Sequence, residues 1–137
     1  MTDEKKIKLK IVTQNKIVYE GSVSSFYTDT MNGRIGILPN HMPITSVLEI
    51  GVTKVNEDKE PVYVTTMGGV MHFKDNAAVI LTDIAELGQD IDEVRAKEAY
   101  NRAKAKLEAH ADKLSVIKAQ IALKKAIARI SATNKYF

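Results

Sequence analysis

Gly88 divides this chain into two segments of different physical character. All seven Gly and all three Pro lie within residues 1–88, and the 49 residues that follow contain neither. Alanine is distributed the other way, with three of 14 before the break (Ala77, Ala78, Ala85) and 11 after it. Gly and Pro punctuate turns between strands, whereas Ala is the strongest helix former. The chain is therefore expected to fold as a β unit over 1–88 followed by a helical segment over 89–137. Thin hydrophobicity in the second segment suits a moving element better than a second core.

With 137 residues there is room for one ordinary domain, or a small domain with an appendage. A β unit of this size buries roughly 60–65% of its unfolded surface, enough for a modest core. The chain has no Cys, which excludes disulfides, thiolate nucleophiles and Cys-based zinc sites and fits a reducing compartment. No apolar run approaches the ~20 residues of a membrane span. The start, Met1-Thr2-Asp3-Glu4-Lys5-Lys6, lacks the apolar stretch of a signal peptide. A soluble, cytoplasmic protein is expected. The net charge of +3 conceals an asymmetry: residues 1–88 carry 9 Lys/Arg against 11 Asp/Glu, and residues 89–137 carry 11 against 6. A basic helical segment fits nucleic acid, an anionic membrane surface, an anionic ligand or an acidic partner protein.

In the β half, Ile7, Leu9 and Ile11 alternate with Lys6, Lys8 and Lys10, the pattern of a half-buried strand. A second run, Ile17–Glu20, reaches Gly21, where a bulge or bend is expected before Val23–Thr28. Further strands are expected at Arg34–Leu38, Ser46–Val55, Pro61–Thr66, Gly69–Phe73 and Ala77–Thr82, separated by polar turns. Regularly spaced short strands predict an antiparallel sandwich or flattened barrel rather than a parallel sheet. The stretch Gly33-Arg34-Ile35-Gly36-Ile37-Leu38-Pro39-Asn40-His41-Met42-Pro43-Ile44 stands out. It reads as a strand with a Pro-fixed corner and His41 bonded to local backbone, or as an exposed apolar loop docked on another protein; both can hold.

In the second half, Asp90 with Glu93 three residues on predicts a capped helix start. Apolar residues follow at Ile91, Val94, Ala96, Ala99, Ala103 and Leu107. The pattern breaks at Ala109-His110-Ala111, and Asp112 is placed to cap a second helix through Leu114, Ile117, Ile121, Leu123, Ile127 and Ile130. An antiparallel α-helical hairpin follows. Because burial contributes ~25 cal/mol per Å² of apolar area, an Ala-lined arm docks weakly while its propensity keeps it helical. Such an arm suits a conformational switch, and a permanently docked helical cap is the other reading.

Taken together, Val18-Tyr19-Glu20-Gly21, the Gly33–Ile44 loop, Gly68-Gly69, Ala78–Glu86 and the Ala-rich hairpin resemble the epsilon subunit of a bacterial F-type ATP synthase over essentially the whole length. The resemblance implies a β-sandwich of about ten strands carrying a helical hairpin. It implies a non-catalytic rotor subunit beside the gamma subunit and the membrane-embedded c-ring, on the cytoplasmic face of the bacterial plasma membrane. The loop residues Arg34, Ile35, Ile37, Pro39, His41, Met42 and Pro43 match the ring- and gamma-facing segment, with Arg34 where relatives often carry an acidic or polar residue. The hairpin is implied to regulate ATP hydrolysis, contacting the alpha and beta subunits when extended. No cofactor is required, but ATP is implied as a regulatory ligand of relatives carrying I/L-D-x-x-R-A, a motif met by Ile91-Asp92-Glu93-Val94-Arg95-Ala96. Glu86, Lys125 and Arg129 match the residues that complete that site.

Lys125 departs from the Arg found in strong ATP binders, and a Lys point charge cannot make a bidentate fork. For Arg95 the plainer reading is an ion pair with Asp92 or Glu98, and for Lys125 and Arg129 a solvated face or a contact with gamma. The isolated chain is expected to be a monomer with its hairpin folded on the sandwich. An enzyme is not expected: P-loop and G-x-S-x-G are missing, and His41, His72 and His110 lack metal-ligand spacing. The alternative function is an adaptor whose basic hairpin binds nucleic acid or an acidic protein. Interspersed acids and only three aromatics in the tail (Tyr100, Tyr136, Phe137) argue against nucleic acid.

Overall fold

The alternation at the start of the chain is realised as β1 (Ile7–Val12), whose Ile7, Leu9 and Ile11 are all but fully buried. The computed structural model describes residues 5–109 and 112–134. Seven further strands follow: β2 (Ile17–Val23), β3 (Ser25–Thr30), β4 (Gly33–Ile37), β5 (Ile44–Asn56), β6 (Val62–Lys74), β7 (Ala77–Leu81) and β8 (Ala85–Leu87). A 3-10 turn at Gly88–Asp90 leads to helices α1 (Glu93–Glu108) and α2 (Lys113–Asn134).

Among the described residues there are eight continuous strands where about ten were expected. The reason is that β5 and β6 each run for 13 residues and serve both layers of the sandwich. One layer runs β2-β1-β7 and then the Gly69–Phe73 end of β6 with the Ile44–Leu48 end of β5. The other joins β4 and β3 to the far end of β5, with β8 on the far end of β6. The predicted strands Pro61–Thr66 and Gly69–Phe73 fuse through Gly68 and Gly69, at φ +80° and +114°, where the paired register also skips a residue. This left-handed backbone, open to Gly, lets the strand turn a corner without ending. Gly21 forms no bulge; it pairs in register with Leu9, and the irregularity lies further along, where Ile11 pairs with Tyr19 and Val12 with Ile17, leaving Val18 as the extra residue. One pairing, β1 with β7, is parallel within an otherwise antiparallel fold.

Between the layers lies a core built around Phe26, Phe73, Leu9, Ile37, Met71 and Ile80. Three buried threonines, Thr28, Thr53 and Thr66, satisfy one another through hydroxyl contacts of 2.8 and 3.1 Å. A second, smaller cluster joins sandwich and hairpin: Val52, Tyr63 and Met67 meet Ala128 and Ala132 of α2, with Ile50 and Ile91 at the margin. The hairpin is thus folded down, as expected of the free chain. Gly88 is buried beneath the last turns of α2. A Cβ there would stand 2.8 Å from the Ala132 carbonyl oxygen and 3.2 Å from that of Tyr63.

The helix faces differ from the sequence reading. Asp92, not Asp90, caps α1, its Oδ1 accepting from Arg95 N at 3.2 Å. The 3-10 turn uses Asp90, and Ile91 is extended, so the helix starts two residues later. Glu93, now in the first turn, pairs with Lys97 at 3.6 Å. On α1 the buried residues are Ala96 and Ala103, while Val94 is exposed. On α2 the buried residues are Ala119, Ala126, Ala128 and Ala132, and Leu114, Ile117, Ile121 and Ile127 are exposed. The turn residues His110 and Ala111 lie outside the described residues.

Asp112 caps α2 as expected, with Oδ1 accepting from Ser115 N at 2.9 Å. That backbone bond, with help from the Ser115 hydroxyl, holds the Asp112 carboxyl below the usual carboxylate range. A depressed folded value means the cap contributes above the unfolded-state value and is lost as pH falls through the folded one. Acidification to below the usual carboxylate range is expected to lower the protection of the Ser115 amide, relative to its intrinsic exchange rate at that pH, while core amides keep theirs, measurable by NMR.

Candidate functional site

Three elements converge at the root of the hairpin. β8 presents Glu86, fixed by Thr65, whose Oγ1 accepts from Glu86 N at 3.1 Å. The cap places Asp92, and the first two and a half turns of α1 carry Arg95, Ala96, Ala99 and Arg102 at helical spacing on one face. α2 returns antiparallel and brings Arg129 to the same end. Arg129 Nε donates to Glu86 Oε1 at 2.7 Å, an ion pair bridging hairpin and sandwich across 43 residues of sequence.

Around this ion pair is a cleft of about 410 Å³, lined by Glu86, Asp90, Ile91, Asp92, Arg95, Ala96, Ala99, Arg102 and Arg129. Six of the seven sequence-predicted nucleotide-site residues are brought together. Lys125, half-buried on α2, is not among the lining residues. Arg102 takes a place there that sequence reasoning did not give it. The signal was available, since Arg102 lies seven residues after Arg95 and therefore on the same helix face. The guanidinium groups of Arg95 and Arg102 make no ion pair among the described residues, so neither of the pairings considered for Arg95 forms.

The chemistry on offer is binding. Two guanidinium groups with no ion-pair partner among the described residues suit an anion such as phosphate, bound through charge-assisted hydrogen bonds. Glu86, Asp90 and Asp92 can accept from N–H or O–H donors, and Ala96 and Ala99 leave space for a flat group. No Ser, Cys or His lines the cleft. Among the described residues no group of three or more His, Cys, Asp or Glu could hold a metal ion. No helix among the described residues is long and apolar enough to cross a membrane.

The second predicted surface divides on inspection. Met42 and Leu38 project into solvent at 72% and 53% exposure. Pro43 is exposed, and Ile35, Pro39 and His41 are half-buried. The His41 ring packs edge-on against Phe73 and bonds to the Met42 carbonyl at 2.7 Å, so its loop is a fixed corner as well as an exposed one. Ile37 is completely buried in the core and cannot reach a partner. Arg34 is engaged within the chain, bonding to Asp29 Oδ1 and the Val52 carbonyl at 2.9 Å each. Across the outer face of the first layer, Val47, Val70 and Leu81 are exposed and paired strand to strand.

Comparison with known proteins places this architecture. Residues 6–88 match the family described as "ATP synthase, Delta/Epsilon chain, beta-sandwich domain", and residues 89–134 the one described as "ATP synthase, Delta/Epsilon chain, long alpha-helix domain". The chain is 35% identical over 128 residues to the chloroplastic ATP synthase epsilon chain of Nymphaea alba and 36% identical to that of Psilotum nudum. Each match covers 93% of this chain and 96% of the relative. The fold is similar to a chain in the Euglena gracilis mitochondrial ATP synthase OSCP/F1/c-ring structure, with a TM-score of 0.83 at 24% identity, covering 93% of this chain and 81% of that one. A chain in the central stalk/c-ring structure of the Tetrahymena thermophila mitochondrial enzyme gives a TM-score of 0.60 at 16% identity, covering 96% and 99%. The chain belongs to the ATP synthase delta/epsilon family, as an epsilon-type chain. The relatives named are chloroplast proteins, so the resemblance holds for the epsilon chain without singling out a bacterial source.

Proposed function

We propose that this chain is a non-catalytic rotor subunit that joins the catalytic head of an ATP synthase to its c-ring. In this reading the hairpin is a regulatory arm held down by ATP. The observation that carries the nucleotide reading is the cleft itself, which gathers unpaired Arg95 and Arg102 with Arg129, Glu86 and Asp92 at the joint between sandwich and hairpin. Phosphates would engage the guanidinium groups, and the carboxylates would accept from the adenine amine or ribose. ATP bound there would span sandwich, α1 and α2 at once and favour the folded arm by its differential affinity. No cofactor is required.

The exposed Leu38 and Met42 support a ring-facing tip, and the Val47–Val70–Leu81 row supports attachment to gamma. Leu114, Ile117 and Ile121 support extension of the hairpin: they are uncovered in the folded arm and would gain partners along gamma and the alpha and beta subunits. The chain would then sit at the cytoplasmic face of a bacterial plasma membrane, peripheral through the complex.

Titrating ATP into the isolated chain by calorimetry is expected to give saturable binding, weakened about tenfold or more in Arg95→Ala, since charge-assisted hydrogen bonds contribute roughly 1.5–3 kcal/mol. Undiminished binding in that variant, or none at millimolar ATP, would remove the site. For the tip, the double variant Leu38→Asp, Met42→Asp is expected to remain folded, because both side chains are exposed, yet to co-purify poorly with ring and stalk. Normal co-purification would remove the tip from the interface.

A further inference from the structure

Beyond the nucleotide cleft, the groove between α1 and α2 continues toward the hairpin turn as a second hollow of about 550 Å³. Ala99 and Arg102 line both, so the two are continuous. The upper hollow adds Lys106 from α1 and Lys118 from α2, above a floor of alanines. Arg102, Lys106 and Lys118 have no ion-pair partner among the described residues, and no acidic side chain lines the upper hollow. In the antiparallel arms Lys106 stands opposite Lys118 as Arg95 stands opposite Arg129, 11 residues further from the root on each arm. At 1.5 Å per residue the two cationic pairs are separated by about 16 Å.

We propose that this groove is a binding site for a linear polyphosphate chain, running from the Arg95–Arg129 end to Lys106 and Lys118. Arg129 is bound to Glu86, and the carboxylates Glu86, Asp90 and Asp92 are confined to the root end. Arg102, Lys106 and Lys118 face one another with no acidic lining residue, a repulsion that a multivalent anion lying along them would relieve. Each phosphate unit added to a chain would reach the next cation. Among the described residues the lining holds no aromatic side chain on which a base could stack, which distinguishes the groove from a site for single-stranded nucleic acid. The site stands independently of whether the root cleft accepts adenine.

The test uses the full chain in calorimetry at physiological salt, with orthophosphate, tripolyphosphate, a long-chain inorganic polyphosphate, ATP and an oligothymidylate as probes. Affinity is expected to rise with phosphate-chain length. The double variant Lys106→Gln, Lys118→Gln should lose roughly tenfold or more for the long chain while retaining ATP binding. Both lysines are exposed, so circular dichroism should show unchanged helicity. Long-chain affinity no greater than that of orthophosphate, or unaffected by the double variant, would overturn the proposal. Oligothymidylate binding as tightly as polyphosphate through the same lysines would overturn it in favour of nucleic acid. Polyphosphate binding without ATP binding would leave the groove standing and remove the nucleotide reading.

Discussion

Replacing Gly88 with alanine is expected to drive the hairpin off the sandwich. The added Cβ would stand 2.8 Å from the backbone carbonyl oxygen of Ala132, and backbone cannot rotate aside as a side chain could. Overpacking of this kind costs about 1–3 kcal/mol. In most cores that is absorbed, but α2 meets the sheet chiefly through Ala128 and Ala132, whose small side chains bury little area. The shift is therefore expected to appear as a roughly 5- to 150-fold change in the folded-to-extended ratio rather than as unfolding. A distance measured between spin labels on the sandwich and on the exposed face of α2 would report it. The variant is expected to populate long distances that the parent chain lacks, with an unchanged sandwich NMR spectrum. An identical distance distribution would show that α2 tolerates the methyl group and that the close approach does not control docking.

The second large effect is expected from Arg129→Ala. Arg129 pairs with Glu86 at 2.7 Å and lines the cleft, so one substitution removes a latch and a ligand contact together. As an ion pair exposed by about a third on both sides, the latch contributes modestly, on the order of 1 kcal/mol or less. The ligand contact is worth more, because a charge-assisted bond to phosphate contributes roughly 1.5–3 kcal/mol. ATP affinity is expected to fall by about tenfold or more, and free chains to spend more time extended. Glu86→Gln separates the two roles: it weakens the latch while leaving every cleft cation, and an oxygen acceptor at position 86, in place. If Arg129→Ala and Glu86→Gln weaken ATP binding equally, the arginine acts only by holding the arm down.

What could be read from the residues was local. The alternation in β1, the Asp112 cap and the shared face of Asp92, Arg95 and Ala96 all lie within one strand or a few helical turns, and each is present in the structure. What could not be read depends on distant partners. Whether Gly68-Gly69 ends a strand or bends one is decided by Leu48 and Ile50 across the sheet. The parallel partnership of β1 with β7 joins segments some 70 residues apart. The face of α2 misled for a similar reason. Ile117, Ile121, Ala128 and Ala132 share one stripe by spacing, but the sandwich cluster takes only Ala128 and Ala132, so the large residues stay exposed and the small ones are buried. Asp90 was equally placed to cap α1 until the 3-10 turn at Gly88 used it. Arg102 was missed because the motif read from the sequence ends at Ala96, whereas the helix face continues.

A nucleotide-held regulatory arm makes one outcome decisive. ATP hydrolysis would be measured in the assembled complex carrying either the full chain or a chain ending at Gly88, across a range of ATP concentrations. With the full chain, hydrolysis is expected to be suppressed at low ATP and relieved several-fold as ATP rises through the binding range of the isolated chain. With the shortened chain it is expected to be high throughout, following the catalytic sites alone. Identical rate curves for the two complexes would contradict the account and leave the hairpin a passive cap on the sandwich.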